Sequence, residues 1–254
     1  MNAMLTKLKE MREFDGAVRT GGLPDAVVGG FADSDPGLVE AIDEAYAAHL
    51  ALRSCMPDFL HLDEAAQIAR VQQDFVNFYP EDGVNPYIAL AAHGPWLITL
   101  KGAVIYDVGG YGMLGFGHAP KAILGVMGRP QVMANVMTPN LSQLKFGKAL
   151  RKEIGQNRGG CPYAKFMCLN SGSESVSLAA RIVDVNAKSM TDPGARHAGR
   201  VIKRVAVKGA FHGRTDRPAL YSDSSRKAYE QNLASFRNEH SLIAIEPYSI
   251  EQLK

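Results

Sequence analysis

Two short segments of the chain carry the residue types that bind a phosphorylated, flat ligand. The first is Asn170-Ser-Gly-Ser-Glu174, which joins an apolar run to a helical pattern, and the second is Phe211-His-Gly213. Gly172 allows the backbone to approach a ligand closely, and the amides at a helix start have no partner inside the helix, which suits a phosphate. Phe211 offers a flat face for stacking. The two segments together favour a phosphorylated planar cofactor or a nucleotide as the ligand.

The elements around these segments are predicted to bring them to one edge of a sheet. Residues 166–169 are an apolar run of strand length, a helical pattern starts at Glu174, and residues 200–207 are rich in β-branched side chains. A strand–helix–strand order favours a right-handed parallel unit, and ligands bind such sheets beyond the carboxyl ends of the strands. Both segments follow a predicted strand, so we expect them to converge.

Each segment also has an ordinary structural interpretation. The serine-rich turn is suited to capping a helix without holding any ligand. In the same way, Phe211 is of a type common in cores, and His212 is of a type common in loops. The prediction of a ligand site therefore depends on both segments occurring together.

A third segment adds a resemblance to a known family. It runs from Gly102-Ala-Val-Ile-Tyr-Asp107 through a glycine-rich stretch to Gly117-His118-Ala-Pro120. With Asn170–Glu174 and Phe211-His-Gly-Arg-Thr215, it resembles class III pyridoxal-phosphate-dependent aminotransferases, in the family's order and over residues 85–220. The resemblance implies an α/β fold of the fold-type-I PLP-dependent transferase kind, with a mostly parallel sheet and flanking helices.

The resemblance also implies roles for individual residues. Gly172 and Ser173 would hold the phosphate of pyridoxal 5'-phosphate, Phe211 would stack on its pyridine ring, and His212 would lie beside the cofactor. Tyr111 would face the substrate, in a site completed by the second subunit of a homodimer. One departure from the family is Ser177, which stands where many relatives carry an acidic residue, so any contact made by that acid is in doubt.

The chain offers no lysine that matches the family's Schiff-base residue. Lys165, Lys203 and Lys208 lie near the motifs, but none fits the family pattern, and the family's lysine and pyridine-binding acid follow later along the chain. We therefore assign no catalytic residue here. We expect the chain to be the N-terminal part of an enzyme that transfers an amino group from an amine donor to an oxo acid, and to be inactive alone.

The end of the sequence fits this expectation. A short apolar run at residues 242–245 is followed by Ser249-Ile-Glu-Gln252, which has the pattern of a capping box. The chain stops at Lys254, about one turn into the predicted helix. We interpret the fold as incomplete at the C-terminus, although a frayed terminal turn would give the same pattern.

Two other function classes are also compatible with parts of the sequence. The first is a non-catalytic binding or assembly module that keeps the phosphate-binding turn but works without a lysine. The second is an NAD-dependent oxidoreductase, because Gly110-Tyr-Gly112-Met-Leu-Gly115 has the dinucleotide-binding spacing. That motif needs an acidic residue about 20 positions later, and residues 108–152 contain none. A serine hydrolase is disfavoured, because Ser171-Gly-Ser173 is not a nucleophile elbow.

Composition sets the remaining expectations. The chain has 254 residues, of which 46% are hydrophobic and 21% are charged, and its net charge of +2 is too small to indicate nucleic-acid binding. Its three cysteines lack metal-binding spacing, which favours a reduced, cytoplasmic setting without a metal site. Neither a signal peptide nor an apolar run of membrane-spanning length is present. We expect small-molecule amine and oxo-acid substrates, and no nucleic-acid or membrane partner.

The pattern predicts two domains. Residues 1–118 would hold an N-terminal arm, helices and a small antiparallel sheet, and residues 119–254 would form the first part of the PLP-binding large domain. Within the first domain, residues 1–33 are predicted to have little structure of their own. Helices are predicted over 37–54, 63–77, 120–127, 141–154 and 226–236, and a hairpin over 96–100 and 104–107.

Overall fold

The structure is a computed structural model, and it describes residues 2–76, 83, 85–109, 115–135 and 137–253. Its contacts divide the chain into two compact units, Met1–Met133 and Ala134–Lys254. The functional boundary predicted after residue 118 stays a prediction.

The first unit combines helices with a small antiparallel sheet. Its strands are β1 (Ala89–His93), β2 (Trp96–Thr99) and β3 (Val104–Tyr106), and β2 lies in the centre, pairing antiparallel with both neighbours. The predicted hairpin is therefore confirmed. The helices are α1 (Asn2–Arg12), α2 (Asp25–Ala32), α3 (Pro36–Cys55), α4 (Pro57–Leu60), α5 (Glu64–Gln72) and α6 (Lys121–Met127).

Helix α3 organises the core of this unit. It starts where predicted, because the Asp35 carboxylate accepts from the Gly37 amide at 3.0 Å and proline occupies the first turn. The other Asp35 oxygen accepts from the Trp96 indole nitrogen at 2.7 Å, which ties the helix start to β2. The buried stripe of α3 faces this sheet and consists of Leu38, Ala41, Ile42, Ala45 and His49.

The prediction that residues 1–33 have little structure of their own is wrong. They contain α1 and α2, and α1 packs along α3. Leu8 and Met11 lie three residues apart on one face of α1, and both are fully buried in the core. This spacing is an amphipathic helix signal, and the neighbouring charged and glycine residues outweighed it in the sequence-based interpretation.

A buried lysine joins three loops of the first unit. Lys101 is only 3% exposed, and its ammonium donates to the carbonyl oxygens of Asp15, Leu60 at 3.1 Å and Leu62 at 2.9 Å. Burial lowers the pKa of Lys101, whereas the nearby carboxylates of Asp15 and Glu64 act in the opposite direction. All three ammonium hydrogens have a partner, which is what a charge in such a position requires.

The second unit is an α/β arrangement with a small sheet. Its helices are α7 (Leu141–Gly155), α8 (Gly172–Thr191), α9 (Asp216–Ala219) and α10 (Arg226–Asn232), with short 3₁₀ turns at Asp223–Ser225, Ala234–Phe236 and Glu251–Leu253. Its strands, β4 (Arg204–Val207) and β5 (Leu242–Ile245), pair parallel and in register, with Val205 opposite Ile243. The strands predicted at these two places are confirmed, as is the helix predicted over 141–154.

The mostly parallel sheet that the sequence predicted is reduced to this one pair. Residues 166–169 form no strand, since they have no ladder partner, and Met167 and Leu169 are exposed. On one face of the pair Val205, Val207 and Ile243 are also exposed, although parallel sheets are usually covered on both faces. The predicted strand–helix–strand unit is therefore only a helix followed by two parallel strands.

Two further sequence expectations are only partly realised. The helix predicted over 226–236 breaks after Asn232 and continues as a 3₁₀ turn. At residues 249–252 half of the capping box forms, because the Gln252 amide donates to the Ser249 hydroxyl at 3.4 Å. The other half is missing, since the Gln252 side chain accepts from the backbone amide of Glu246 and not from that of Ser249. Among the described residues, no helix has the length and apolarity needed to cross a membrane.

We predict that Lys101→Met destabilises the chain by about 3 kcal/mol, because three carbonyls lose a charged donor and one of them belongs to the buried Leu60. The measurement is urea unfolding followed by the fluorescence of Trp96, the only tryptophan, which is buried in the same unit. Lys121→Met is the matched control. Lys121 is exposed and pairs only with Glu40 in the described structure, so its loss should cost under about 1 kcal/mol. Equal losses in the two variants would contradict the proposed role of Lys101.

Histidine 49 gives a second prediction, on pH. It is 1% exposed, and burial, reinforced by Arg53 and Lys101, lowers its pKa from 6.5 to about 4. The unfolded chain therefore binds an additional proton as the pH falls from 6.5 to 4, so the folded state loses about 3 kcal/mol over that window. Above pH 6.5 both states are neutral at this site, and the loss vanishes.

The test compares the unfolding free energies of the unaltered chain and His49→Gln at pH 7 and pH 4. The glutamine cannot take up the proton, so the variant should lose about 3 kcal/mol less stability than the unaltered chain between these two pH values. Carboxylates that titrate near pH 4 affect both proteins and cancel in the comparison. Parallel pH profiles would show that His49 is not the titrating group.

Candidate functional site

The serine-rich turn forms the start of α8. Ser171 caps the helix, since its hydroxyl accepts from the Glu174 amide at 3.1 Å. The Glu174 carboxylate in return accepts from the amides of Asn170 at 2.8 Å and Ser171 at 3.2 Å. This capping box makes the helix begin at Gly172, two residues before the helical pattern is visible in the sequence.

Two backbone amides remain at this helix start. Within the described part of the chain, the amides of Gly172 and Ser173 have no hydrogen-bond partner. Apart from the adjoining residues and the helix's own backbone, no heavy atom lies within 4 Å of where a Cβ on Gly172 would be. Adjacent amides of this kind, at the positive end of a twenty-residue helix, suit an anionic group. Ser177, the departure from the family pattern, donates to the Ser173 carbonyl at 2.8 Å, a bond within the helix.

The segment after β4 is held by a second loop. The Ser222 hydroxyl is fully buried and accepts from the His212 amide at 2.9 Å. Its single hydrogen faces two acceptors, the Gly213 carbonyl at 2.9 Å and the Pro218 carbonyl at 3.1 Å. The next residue, Asp223, accepts from the Gly209 amide at 2.8 Å. Sequence reasoning missed both residues, because no local pattern indicates which loop a serine or an aspartate will reach.

The two predicted site segments meet at Gly213. Its φ of +109° is one that side chains rarely permit, and a Cβ at this position would lie 2.4 Å from the Ser173 hydroxyl oxygen. The glycine backbone therefore rests directly against the first turn of α8. The convergence that the sequence predicted is confirmed, whereas the cofactor-binding roles of Gly172, Ser173, Phe211 and His212 stay predictions.

The side chains of this segment differ in their surroundings. Phe211 is 57% exposed, so it is not the core residue of the alternative interpretation, and the Arg214 guanidinium lies over its ring at 5.7 Å from the centroid. His212 is exposed and is held through its backbone amide. Tyr111, the predicted substrate-facing residue, lies outside the described residues.

An ion pair lies at the carboxyl edge of the two parallel strands. Lys208 follows β4 and its amide donates to the Ile245 carbonyl at 2.8 Å, while its ammonium contacts the carboxylate of Glu246, which follows β5. The hydrogen bond to Glu246 raises the pKa of Lys208. The amine therefore stays protonated at neutral pH and is a weak nucleophile.

A groove of about 590 Å³ lies along the other half of α8 and does not coincide with this site. Its lining carries three positive and three negative side chains, and four of these pair with one another, Arg217 with Asp184 at 3.1 Å and Lys188 with Asp192 at 2.6 Å. Such paired charges give no preference for an anion or a cation. The groove therefore does not indicate a ligand.

In the first unit, the Gly102–Pro120 segment contains a histidine–carboxylate pair. The Asp107 carboxylate lies 3.1 Å from the imidazole of His118 and accepts from the Gly109 amide at 3.0 Å. His118 also bridges Gly94 through its backbone. These contacts give Asp107 and His118 a structural role, because they connect the two ends of this segment.

Two solved structures with a similar fold are ornithine aminotransferases. The ornithine aminotransferase from Toxoplasma gondii crystallised with oxidized glutathione, which has partial occupancy of PLP at its active site, matches with a TM-score of 0.53 at 17% identity. The match covers 74% of this chain and 41% of that one. The 2.3 Å structure of the ornithine aminotransferase from Toxoplasma gondii ME49 gives 0.52 at 16% identity, over 79% and 44% of the two chains.

These matches show a shared fold over less than half the length of the aminotransferases. No protein-family model matches the chain, and no curated protein matches it. The α/β class inferred from the sequence agrees with the fold of these enzymes.

We predict that Gly213→Ala separates the two site segments. The added methyl would strain the backbone and clash with Ser173, at a cost of about 1–3 kcal/mol. Hydrogen exchange should therefore become faster in peptides spanning residues 170–177 and 209–224. Gly172→Ala is the matched control, since its Cβ meets open space, and it should leave exchange unchanged. Faster exchange in both variants, or in neither, would count against the contact.

Proposed function

We propose that this chain forms part of a pyridoxal-phosphate-dependent aminotransferase of class III type, and that it holds the cofactor. The observation that carries the proposal is the contact of Gly213 with Ser173, which joins an anion-binding helix start to a segment bearing an exposed aromatic ring. The likeness of the fold to PLP-containing aminotransferases supports the same function.

The residues present fit the cofactor. Gly172 and Ser173 supply two amides and one hydroxyl for the phosphate, and the space above Gly172 is open. Phe211 supplies an exposed face for the pyridine ring. When bound, pyridoxal phosphate supplies an electron sink that stabilises negative charge on the amine substrate's α-carbon.

The chain's own residues would bind and orient, and would not carry out proton transfer. The helix start fixes the position of the phosphate, and Phe211 fixes the plane of the ring. The Glu174 carboxylate is engaged by the amides of Asn170 and Ser171, which leaves the next two amides for the anion. We propose that Tyr111 and a second subunit complete the substrate side, for small amine and oxo-acid substrates.

The Schiff-base lysine is proposed to come from outside this chain. Lys208 is the lysine at the sheet edge where the cofactor would bind, and its pairing with Glu246 keeps it protonated. The Lys203 ammonium donates to the His240 carbonyl at 3.4 Å, at the opposite end of β4. Neither arrangement favours attack on an aldehyde.

A second candidate function is a non-catalytic module that binds the same phosphorylated ring. The ion pair of Lys208 with Glu246 favours it, because a protein that only binds the cofactor does not need a reactive amine. The two candidates differ in whether residues outside this chain, including a lysine, convert bound cofactor into an active enzyme.

We predict that Phe211→Ala weakens binding of pyridoxal phosphate about tenfold, because the variant loses the stacking face. His212→Ala should change the dissociation constant less than twofold, since the backbone amide that holds this segment is retained. Isothermal titration of the chain with pyridoxal phosphate measures both. Equal effects of the two substitutions would argue against stacking.

Borohydride reduction separates the hypotheses. We expect pyridoxal phosphate to bind the chain without becoming fixed to a specific lysine, as peptide mapping after reduction would show. Stoichiometric labelling of one lysine would refute the claim that the reactive amine lies elsewhere. Protection of the chain by NAD, with no effect of pyridoxal phosphate, would favour the dinucleotide-enzyme alternative.

A further inference from the structure

The ring of Phe211 needs support if it is to act as a stacking face. Its side chain is more than half exposed, and a phenyl ring in that situation can rotate among several side-chain conformers. Ordering such a side chain on binding costs conformational entropy, which lowers affinity for any planar ligand. A neighbour that already holds the ring would remove part of this cost.

Arg214 is placed to be that neighbour. Its guanidinium carbon lies 5.7 Å from the centroid of the Phe211 ring, within the range of cation–π interactions. Arg214 directly follows Gly213, whose backbone rests on Ser173 and whose carbonyl accepts from the buried Ser222 hydroxyl. The arginine therefore starts from a fixed point of the site, three residues after the ring that it covers.

We propose that Arg214 is a positioning residue, which packs on one face of the Phe211 ring and leaves the opposite face for the planar ring of the ligand. The inference rests on the proposed function, and it adds a residue to that site. A guanidinium suits this task because it is flat, permanently charged and weakly hydrated, so it stacks on an aromatic face better than an ammonium does.

A positioning residue and a phosphate-binding residue affect the binding of different ligands. A residue that orders Phe211 strengthens binding of any ligand with a stacking ring, whether or not it carries phosphate. A residue that contacts the phosphate group strengthens the binding of both inorganic phosphate and pyridoxal phosphate. The test therefore uses pyridoxal phosphate, pyridoxal and inorganic phosphate as three separate probes.

The experiment titrates each probe into the unaltered chain, Arg214→Ala and Arg214→Lys. Arg196→Ala controls for the loss of one positive charge, since Arg196 is exposed and lies in the loop after α8. We expect Arg214→Ala to weaken the binding of pyridoxal phosphate and of pyridoxal equally, by about two- to fivefold. The affinity for inorganic phosphate should stay unchanged. Arg214→Lys should recover part of the loss, and Arg196→Ala should match the unaltered chain.

A second readout needs no ligand. In chains labelled with 4-fluorophenylalanine, the fluorine signal of Phe211, assigned with Phe211→Leu, should move towards the unfolded-chain position in Arg214→Ala. An unchanged signal would overturn the contact. Unchanged affinity for pyridoxal in Arg214→Ala, or an equal loss for inorganic phosphate, would overturn the positioning role alone. If the unaltered chain bound no pyridoxal phosphate, the proposed function and this inference would both fail.

Discussion

The candidate site depends on the close approach of Gly213 to the first turn of α8. A side chain at this position would collide with the Ser173 hydroxyl, so the approach requires glycine. This contact brings the loop that contains Phe211 and Arg214 to the start of α8, where two backbone amides have no partner in the described structure. The anion-binding and aromatic parts of the site are thus positioned by a single backbone contact.

This contact is maintained by hydrogen bonds from an unexpected place. The buried hydroxyl of Ser222 satisfies the His212 amide and the Gly213 carbonyl, and the Asp223 carboxylate satisfies the Gly209 amide. An unpaired backbone group in such a position costs about 1–3 kcal/mol, so these bonds hold the loop in one conformation. The candidate site is therefore formed by two loops and a helix start, whereas the contribution of β4 is to end next to them.

The two units differ in how their apolar surface is covered. In the first unit α1 and α3 enclose a core with the sheet, and the buried ammonium of Lys101 has an acceptor for each of its three hydrogens. In the second unit a face of the parallel pair remains exposed through Val205, Val207 and Ile243. The matched aminotransferases are more than twice as long as the part of them that this chain covers.

Local sequence was sufficient for the elements whose signals are local. The cap at Asp35, the hairpin of β2 and β3 and the helix start at Ser171 all followed from residue types and spacing. Tertiary structure decided the rest. Residues 166–169 form no strand because a strand needs a ladder partner, and α1 is a core helix because α3 accepts its apolar face. Ser222 reaches the loop of His212 and Gly213, and Gly213 reaches Ser173, through contacts that no short pattern encodes.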